Sequence, residues 1–226
     1  MSIYRNSSTY FTGGGAGSTT YTKVGYDPAY AGTEKGRIIF VAHRSAAAVA
    51  GAIRSITYGG VPMRLASGHP IGNFNTSVGI FYIINPPTGA QNIVFTTVGA
   101  VNWSMQVGVV SYYSDTDFSF RIGQIKTGIS SGTTTGLATT FNTVNDSSWS
   151  IAMSSINLNQ TINLGTYVTG NGNPSNFEVV DSNGEIPDAT STGIDVSYSS
   201  TSGICYQEVA TFLPIRRGIF DFFNNI

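Results

Sequence analysis

Few residues of this sequence could carry out acid–base or nucleophilic chemistry. His43 and His69 are the only histidines, and neither belongs to a His-Glu-x-x-His zinc motif. A hydrolase triad needs a nucleophile, a base and an orienting acid within hydrogen-bonding reach. With two histidines available as bases, we expect no nucleophile elbow, no triad and no catalytic zinc site.

Asp115 and Asp117 form the nearest pair of carboxylates that could act together. Glycoside hydrolysis uses two carboxylates, but a Ser-Asp-Thr-Asp context is more simply a turn, because aspartate side chains bond to nearby backbone amides. Calcium is an alternative for this loop or for residues 171–176 and 181–188, which supply oxygen ligands. None of the three matches an EF-hand loop, so we expect no bound metal. Because neither a triad nor a catalytic carboxylate pair is expected, we also expect no enzymatic activity and no cofactor.

Sugar binding would use exposed aromatic rings as platforms, together with amide and carboxylate hydrogen bonds. Trp and Tyr in an all-β protein lie more often in the core or on a sheet face, so both readings stay open for each candidate. The candidate platforms are Trp103, Tyr112, Tyr113, Tyr167 and Tyr198. The single cysteine, Cys205, excludes an intrachain disulfide and is expected to be buried.

The composition predicts a folded all-β chain. Charged residues make up 10% of the 226 residues, against about 25% in typical soluble domains. Gly, Ser, Thr and Asn together account for 96 residues, and all four are unfavourable in helix interiors. Hydrophobic residues reach 41% and aromatic residues 12%, which argues against disorder. The length favours one domain.

The charge pattern argues against two classes of partner. The net charge is −1 and the eleven basic residues are scattered, so we expect neither nucleic-acid nor membrane-surface binding. No apolar run is long enough for a membrane span, and the first residues lack the apolar region of a signal peptide. A chain made in a cytoplasm, with a surface typical of proteins that work outside cells, suggests a virion protein released by lysis.

Short alternating segments separated by turn signals predict an antiparallel β-sandwich or jelly roll. Residues 37–42 are almost continuously apolar, so we expect a central strand covered on both faces. Residues 54–65 predict a hairpin around Gly59 and Gly60. Residues 148–155 alternate large apolar side chains with serines, and the serine face is expected to meet water or a partner.

The predicted sandwich spans residues 23–215, between an arm of residues 1–22 and a docking tail of residues 216–226. The arm is rich in Gly, Ser and Thr, and the tail carries five large apolar residues in eleven. Either end could fray or pack on its own domain, but we expect both to bury apolar side chains on neighbouring subunits. The candidate interface residues are Tyr4, Tyr10, Phe11, Arg216, Arg217, Ile219, Phe220, Phe222 and Phe223.

The order of motifs between residues 36 and 214 resembles a β-sandwich domain found in phage virion proteins and secreted bacterial surface proteins. The most specific feature is Thr57-Tyr-Gly-Gly60 followed by Tyr82-x-x-Asn-Pro-Pro-x-Gly89. The match is strong only as far as Tyr113. This resemblance implies a fold and a setting but no catalytic residues. The secreted bacterial domains usually sit in longer chains behind a signal peptide, so the resemblance favours the virion setting here.

Together these observations predict a structural protein of a tailed-phage particle, a capsid decoration or cement protein made in the host cytoplasm. Its expected partners are the major capsid protein or other virion subunits. A homotrimer is expected because decoration proteins tend to sit at three-fold positions. The alternative is a carbohydrate-binding or adhesin module of a phage tail or bacterial surface, for which a glycan is the partner.

Overall fold

The computed structural model of the chain describes residues 3–47, 53–71, 76–116, 118–131, 136–142, 148–156, 162–164, 169–170, 177–182, 191–198 and 204–216. Every regular element among these residues is a β-strand, and every strand pair is antiparallel. The predicted all-β, sandwich-like class is confirmed.

The strands follow one another along the chain with few long connections. In chain order they are β1 (Ile3–Tyr26), β2 (Gly36–Ala47), β3 (Ile53–Tyr58), β4 (Val61–Pro62), β5 (Arg64–Ile71), β6 (Thr76–Ile84), β7 (Gln91–Ser114), β8 (Phe118–Ser131), β9 (Gly136–Asn142), β10 (Trp149–Ile156), β11 (Ile162–Leu164), β12 (Thr169–Gly170), β13 (Phe177–Asp181), β14 (Ser191–Tyr198) and β15 (Ile204–Arg216). The first seven strands form one sheet, β8, β10, β12, β13 and β15 form a second, and β9, β11 and β14 form a third.

The 24-residue strand β7 organises the first sheet because three strands pair with it. β1 pairs with β7 from Ile3 opposite Ser114 to Tyr26 opposite Gln91. β2 pairs with residues 103–114 of β7 and β3 pairs with residues 93–97. β1 therefore takes one edge of β7, while β2 and β3 share the other edge end to end.

The ribbon of β1 and β7 is folded in half. Phe11 lies opposite Val107, yet its ring is 6.1 Å from the ring of Phe95, twelve positions away along β7. A straight strand would separate those positions by roughly 40 Å. Tyr26 likewise lies beside Ser7 of its own strand, with 3.2 Å between their hydroxyl oxygens. The two halves of the ribbon thus form two packed layers.

Glycines make the bend possible. The pairing of β1 with β7 shifts register between Gly15 and Ser18, and Gly17 has a positive φ of 64°. A Cβ on Gly14 would lie 2.2 Å from the carbonyl oxygen of Trp103 on β7. The backbones approach too closely at this bend for any residue other than glycine.

The first sheet contains the central layer of the molecule. Ile38, Ile39, Phe40 and Val41 of β2 are all fully buried, which confirms the predicted central strand. Ile39 and Val41 pack in the core between the two halves of the folded sheet, with Phe95, Val107 and Tyr58. Ile38 and Phe40 pack in a second core against the second sheet, with Trp149, Phe177 and Phe212.

The predicted hairpin between β3 and β4 is confirmed. Its turn residues, Gly59 and Gly60, have φ values of 56° and 81°, as a two-residue type I′ turn requires. β8 lies at an edge of the second sheet and has 14 residues.

The expectation that the serine face of β10 meets water or a partner is wrong. Ser150 and Ser154 are fully buried within the chain. Gln207 donates a 3.2 Å hydrogen bond to Ser154 Oγ, and the backbone N–H of Ser150 donates to Ser182 Oγ at 3.2 Å. Small hydroxyl side chains thus alternate with large ones on a buried strand as well as on an exposed one, and the chain itself supplies a hydrogen-bond partner to Ser154.

Residues 3–22, expected to form an arm outside the sandwich, lie instead within β1 of the first sheet. Gly13, Gly14 and Gly15 face Trp103, Met105 and Tyr21 at close range. Alternation of polar and apolar residues is weak in β1, since much of its length is partly exposed at a sheet edge.

Replacement of Gly14 tests the bend. We expect Gly14→Ala to lower the free energy of unfolding by about 2–3 kcal/mol, because the added Cβ meets backbone rather than a movable side chain. The measurement is urea denaturation followed by tryptophan fluorescence. Ala16→Ser, at an exposed position in the same bend, is the matched control and should change stability by less than about 0.5 kcal/mol. Equal effects of the two substitutions would contradict the proposed role of Gly14.

Candidate functional site: buried polar contacts and the exposed face of β1

His43 is enclosed by the core between the folded halves of the first sheet. It lies on β2 opposite Gly79, and a Cβ on Gly79 would be 3.1 Å from His43 Nε2, so the glycine makes room for the imidazole. Its ring lies 5.8 Å from that of Phe81. Nδ1 is buried with no hydrogen-bond partner among the described residues. Burial lowers the pKa of His43 to about 3, so this imidazole is neutral and has no acid to orient it.

The other candidate catalytic groups are not brought together. His69 lies in β5, where its backbone pairs with Val78. Asp115 is exposed in the turn after β7, and Asp117 lies outside the described residues. Within the part of the chain that the structure describes, no group of three or more His, Cys, Asp or Glu side chains could hold a metal ion.

A Gly-x-Ser-x-Gly pattern does occur at residues 128–132, contrary to the sequence-based expectation. A nucleophile elbow places its serine on a sharp turn between a strand and a helix. Ser130 instead lies within β8, with its backbone paired with Cys205 of β15. The pattern therefore lacks the backbone context on which the chemistry of an elbow depends.

Asp181 is a fully buried carboxylate that joins the first two sheets. It lies on β13, and Arg5 of β1 approaches it with two nitrogens, each 2.9 Å from a carboxylate oxygen. Tyr112 of β7 donates a 2.7 Å hydrogen bond to Asp181 Oδ2. Burial and the adjacent carboxylate raise the pKa of Tyr112 well above its ordinary value, so the phenol remains a donor. Arg5 is thus both hydrogen-bonded to and ion-paired with the buried carboxylate, and a hydrogen bond between charged groups is stronger than one between neutral groups.

Glu208 is a second fully buried carboxylate between the same sheets. It lies on β15, and its Oε2 accepts a hydrogen bond from the hydroxyl of Ser67 on β5 and a 2.7 Å bond from Thr127 on β8. Both buried acids thus have donors from neighbouring strands. Because they lie between sheets and accept hydrogen bonds from neighbouring strands, these carboxylates fix strand positions.

The two most specific sequence motifs meet in the structure. Tyr58, from Thr57-Tyr-Gly-Gly60, donates a 3.4 Å hydrogen bond to the carbonyl of Gly89, which ends the Asn-Pro-Pro-x-Gly segment. Asn85 has a positive φ of 50°, and its N–H bonds to the carbonyl of Arg37 at 2.8 Å. The motif residues therefore connect the β3–β4 hairpin to the turn after β6 by a hydrogen bond.

The candidate sugar platforms divide into core and surface residues. Trp103 and Tyr112 are buried and belong to the two cores. Tyr113 is partly exposed and stacks on Tyr4, with ring centroids 5.2 Å apart. The side chain of Tyr198 and the whole of Tyr167 lie outside the described residues. The tyrosine pair Tyr4–Tyr113 is thus the aromatic surface that remains available.

The predicted interface residues of β1 contact the chain itself. Tyr10 packs at the edge of the core against the second sheet, 6.3 Å from Phe177 between ring centroids. Phe11 packs at the edge of the other core, and Lys23 Nζ lies 5.4 Å from the centre of its ring. Tyr4 is 41% exposed, and its hydroxyl donates to Asp115 Oδ2 at 3.4 Å. A role of these residues at an interface stays a prediction.

The predicted docking tail falls almost wholly outside the described residues. Arg216 ends β15, where it pairs with Phe118. Arg217, Ile219, Phe220, Phe222 and Phe223 lie in residues 217–226, which the structure does not describe. Of the calcium candidates, residues 171–176 and 183–188 also lie outside, and Asp181 is paired with Arg5.

Two open depressions lie on the described surface. One, of about 360 Å³, lies beside the β3–β4 turn and is lined by Gly59, Gly60 and Gln91 among others. The other, of about 500 Å³, lies at the bend of the ribbon and is lined by Gly14, Gly15 and Trp103 among others. Neither contains a histidine, an acid or a base in its lining, so neither offers catalytic groups.

Comparison with known proteins finds no matching family model, no matching curated protein and no matching solved structure. No helix of the described residues is long and apolar enough to cross a membrane.

The Asp181 contact is the feature that sequence reasoning missed. Arg5 and Asp181 are 176 positions apart, and no local pattern connects them. The available signal was compositional: charged residues are scarce, so one that interrupts an apolar strand, as Asp181 does after Phe177-Glu-Val-Val, is a candidate for burial.

Replacement of Asp181 tests whether it joins the sheets. We expect Asp181→Ala to lower the free energy of unfolding by about 3–5 kcal/mol, because Arg5 and Tyr112 would lose their buried acceptor. Urea denaturation measures the change. Asp115→Ala removes an exposed carboxylate that accepts one long hydrogen bond, and this control should cost less than about 0.5 kcal/mol. A loss below about 1 kcal/mol for Asp181→Ala would contradict the assignment.

His43 should make stability depend on pH. Because its pKa in the folded chain is about 3, against about 6.5 when unfolded, the unfolded state alone binds a proton between these values. The contribution of His43 is constant above pH 6.5, and stability falls by about 1.4 kcal/mol per pH unit below it, until about pH 3. We expect His43→Gln to remove this slope when unfolding is measured between pH 4 and 7. A slope of stability against pH that is the same in His43→Gln as in the unmodified chain would contradict the burial of a neutral imidazole at this position.

Proposed function

We propose that this chain is a structural protein of a tailed-phage particle, a decoration or cement protein that binds the outer shell. In this function the folded sheet and the second sheet form a rigid body, and residues 217–226 bind neighbouring subunits. The partners are the major capsid protein or other virion subunits.

One observation carries the proposal: two fully buried carboxylates, Asp181 and Glu208, hold strands together. Asp181 joins β13 to β1 and β7, and Glu208 joins β15 to β5 and β8. His43 is neutral and enclosed by apolar side chains. Buried polar groups that hold strands together suit a protein that reinforces a shell. In an enzyme, by contrast, groups with perturbed pKa values typically lie in a cleft.

The low charge of the chain supports the same function. Exposed contacts between neutral hydroxyl, amide and apolar groups depend little on ionic strength, because salt screens only charges. Repetition of many weak contacts over a shell adds avidity. A decoration protein of this composition would therefore stay bound when the salt concentration of the medium changes.

The test is co-sedimentation of the full-length protein with phage capsids from the same source. We expect saturable binding at a fixed ratio to shell subunits, and at least a tenfold weaker affinity after deletion of residues 217–226. Removal of residues 1–22 is not a suitable variant, because Ile3 and Tyr10 pack in the chain's own core. The matched control replaces Val24, an exposed residue of the second half of β1, with Ser. Absence of binding by a folded full-length protein would overturn the proposal.

A second function is favoured by the exposed Tyr4–Tyr113 pair. Two stacked rings beside the Asp115 carboxylate have the composition of a carbohydrate platform, in which rings contact sugar faces and carboxylates accept hydroxyl hydrogen bonds. The chain would then be an adhesin module of a phage tail or bacterial surface. A glycan array distinguishes the two: specific binding that Tyr4→Ala abolishes, without capsid binding, would favour the adhesin.

A further inference from the structure

The first half of β1 is anchored to the body by side chains. Ile3 and Tyr10 contribute to the core against the second sheet, and Arg5 forms a hydrogen bond and an ion pair with buried Asp181. Phe11 reaches the other core. The segment occupies the outer edge of residues 105–114 of β7, and its own outer edge pairs with no described strand. All these anchors lie between residues 3 and 11.

A hinge separates this segment from the rest of β1. The register with β7 shifts between Gly15 and Ser18 and again between Ser18 and Thr20, so regular pairing is interrupted here. Gly17 adopts a φ of 64°, and a Cβ built on it has nothing within 4 Å. Hinges are short stretches that absorb large backbone changes. The structure thus combines a well-anchored end with a turn residue, Gly17, at which a side chain would meet open space.

We propose that residues 3–12 exchange between two copies of this chain, turning about Ala16 and Gly17 to pair with β7 of the second copy. Each copy then supplies Arg5 to the other's Asp181 and Tyr10 to the other's core. Because the exchanged contacts are the same as those within one chain, the two forms differ in the hinge and in the cost of association. The second half of β1, residues 20–26, stays on its own β7.

The conformation of Gly17 differs between the closed form, in which residues 3–12 pair with β7 of their own chain, and the exchanged form. In the closed form Gly17 turns with a positive φ, and its N–H bonds to Asn102 Oδ1 at 3.1 Å. An exchanged chain runs straight through this point and needs no positive φ. A substitution that strains the closed turn without touching another residue should therefore favour exchange.

This proposal goes beyond the function proposed above. It concerns contacts between copies of this chain, and it applies equally to a shell protein and to a sugar-binding module. Capsid binding and exchange are measured separately, so failure of either leaves the other standing. Close spacing of copies on a particle would raise the exchanged fraction, because it raises their effective concentration.

Paired cysteines test the exchange directly. In a Cys205→Ala background, Tyr4→Cys with Tyr113→Cys places two thiols opposite each other on the exchanging half of the ribbon. Thr22→Cys with Val94→Cys does the same on the half that stays. After refolding at high concentration and oxidation, non-reducing denaturing gels should show linked dimers for the first pair and monomers for the second.

Monomers from both pairs would overturn the proposal, and dimers from both would overturn the position of the hinge. A light-scattering measurement on the unmodified chain covers the case in which a cysteine variant does not fold. We expect dimers that increase with concentration, and a chain that stays monomeric throughout would also overturn the exchange.

Substitutions at the hinge give a second, independent test. We expect Gly17→Ala to raise the ratio of exchanged to closed chain about fivefold, since only the closed form needs a positive φ there. The matched control is Gly32→Ala, which has a φ of 87°, also has open space at its Cβ, and lies outside the hinge. It should lower stability without changing the ratio. Equal ratios for the two variants would contradict the hinge at Gly17.

Discussion

The close approach of two backbones at Gly14 and Trp103 is the constraint on which the rest of this structure depends. Because the ribbon of β1 and β7 folds there, a single sheet supplies two of the packed layers. β2 is consequently covered on both faces, with one core on each side. Without the bend, the face of β2 that carries Ile39, Val41 and His43 would have no layer to pack against.

The polar groups inside the molecule follow from the same layering. A third layer brought against β7 places Asp181 and Glu208 out of reach of water, where an unpaired carboxylate would be very costly. Arg5, Tyr112, Ser67 and Thr127 supply the donors that make these positions tolerable. Such pairs contribute little net stability compared with apolar substitutes, but removal of one partner is costly because it leaves a buried charge unpaired. The two carboxylates and their donors must therefore be retained or lost together.

Sequence reasoning predicted the features that depend on neighbouring residues. The class of fold follows from composition, the β3–β4 hairpin from Gly59-Gly60, and the central position of β2 from its unbroken apolar run. The features it missed depend on distant pairing. The glycines at 13–17 have the composition of a loose terminus, and only the presence of Trp103 opposite them shows that they are packed. The burial of the β10 serines likewise depends on Gln207 and Ser182, which lie far along the chain.

The pairing of Ile3 with Ser114 also determines when the fold can form during synthesis. Ribosomes add about 5–20 residues per second, so roughly 5–20 s pass between the appearance of β1 and the completion of its partner. Over this interval β1 has no described strand to pair with, whereas β2 can already pair with β6 and β3 with β4. The first sheet is therefore completed late, once β7 has emerged, and β1 must stay soluble until then through its many hydroxyl side chains.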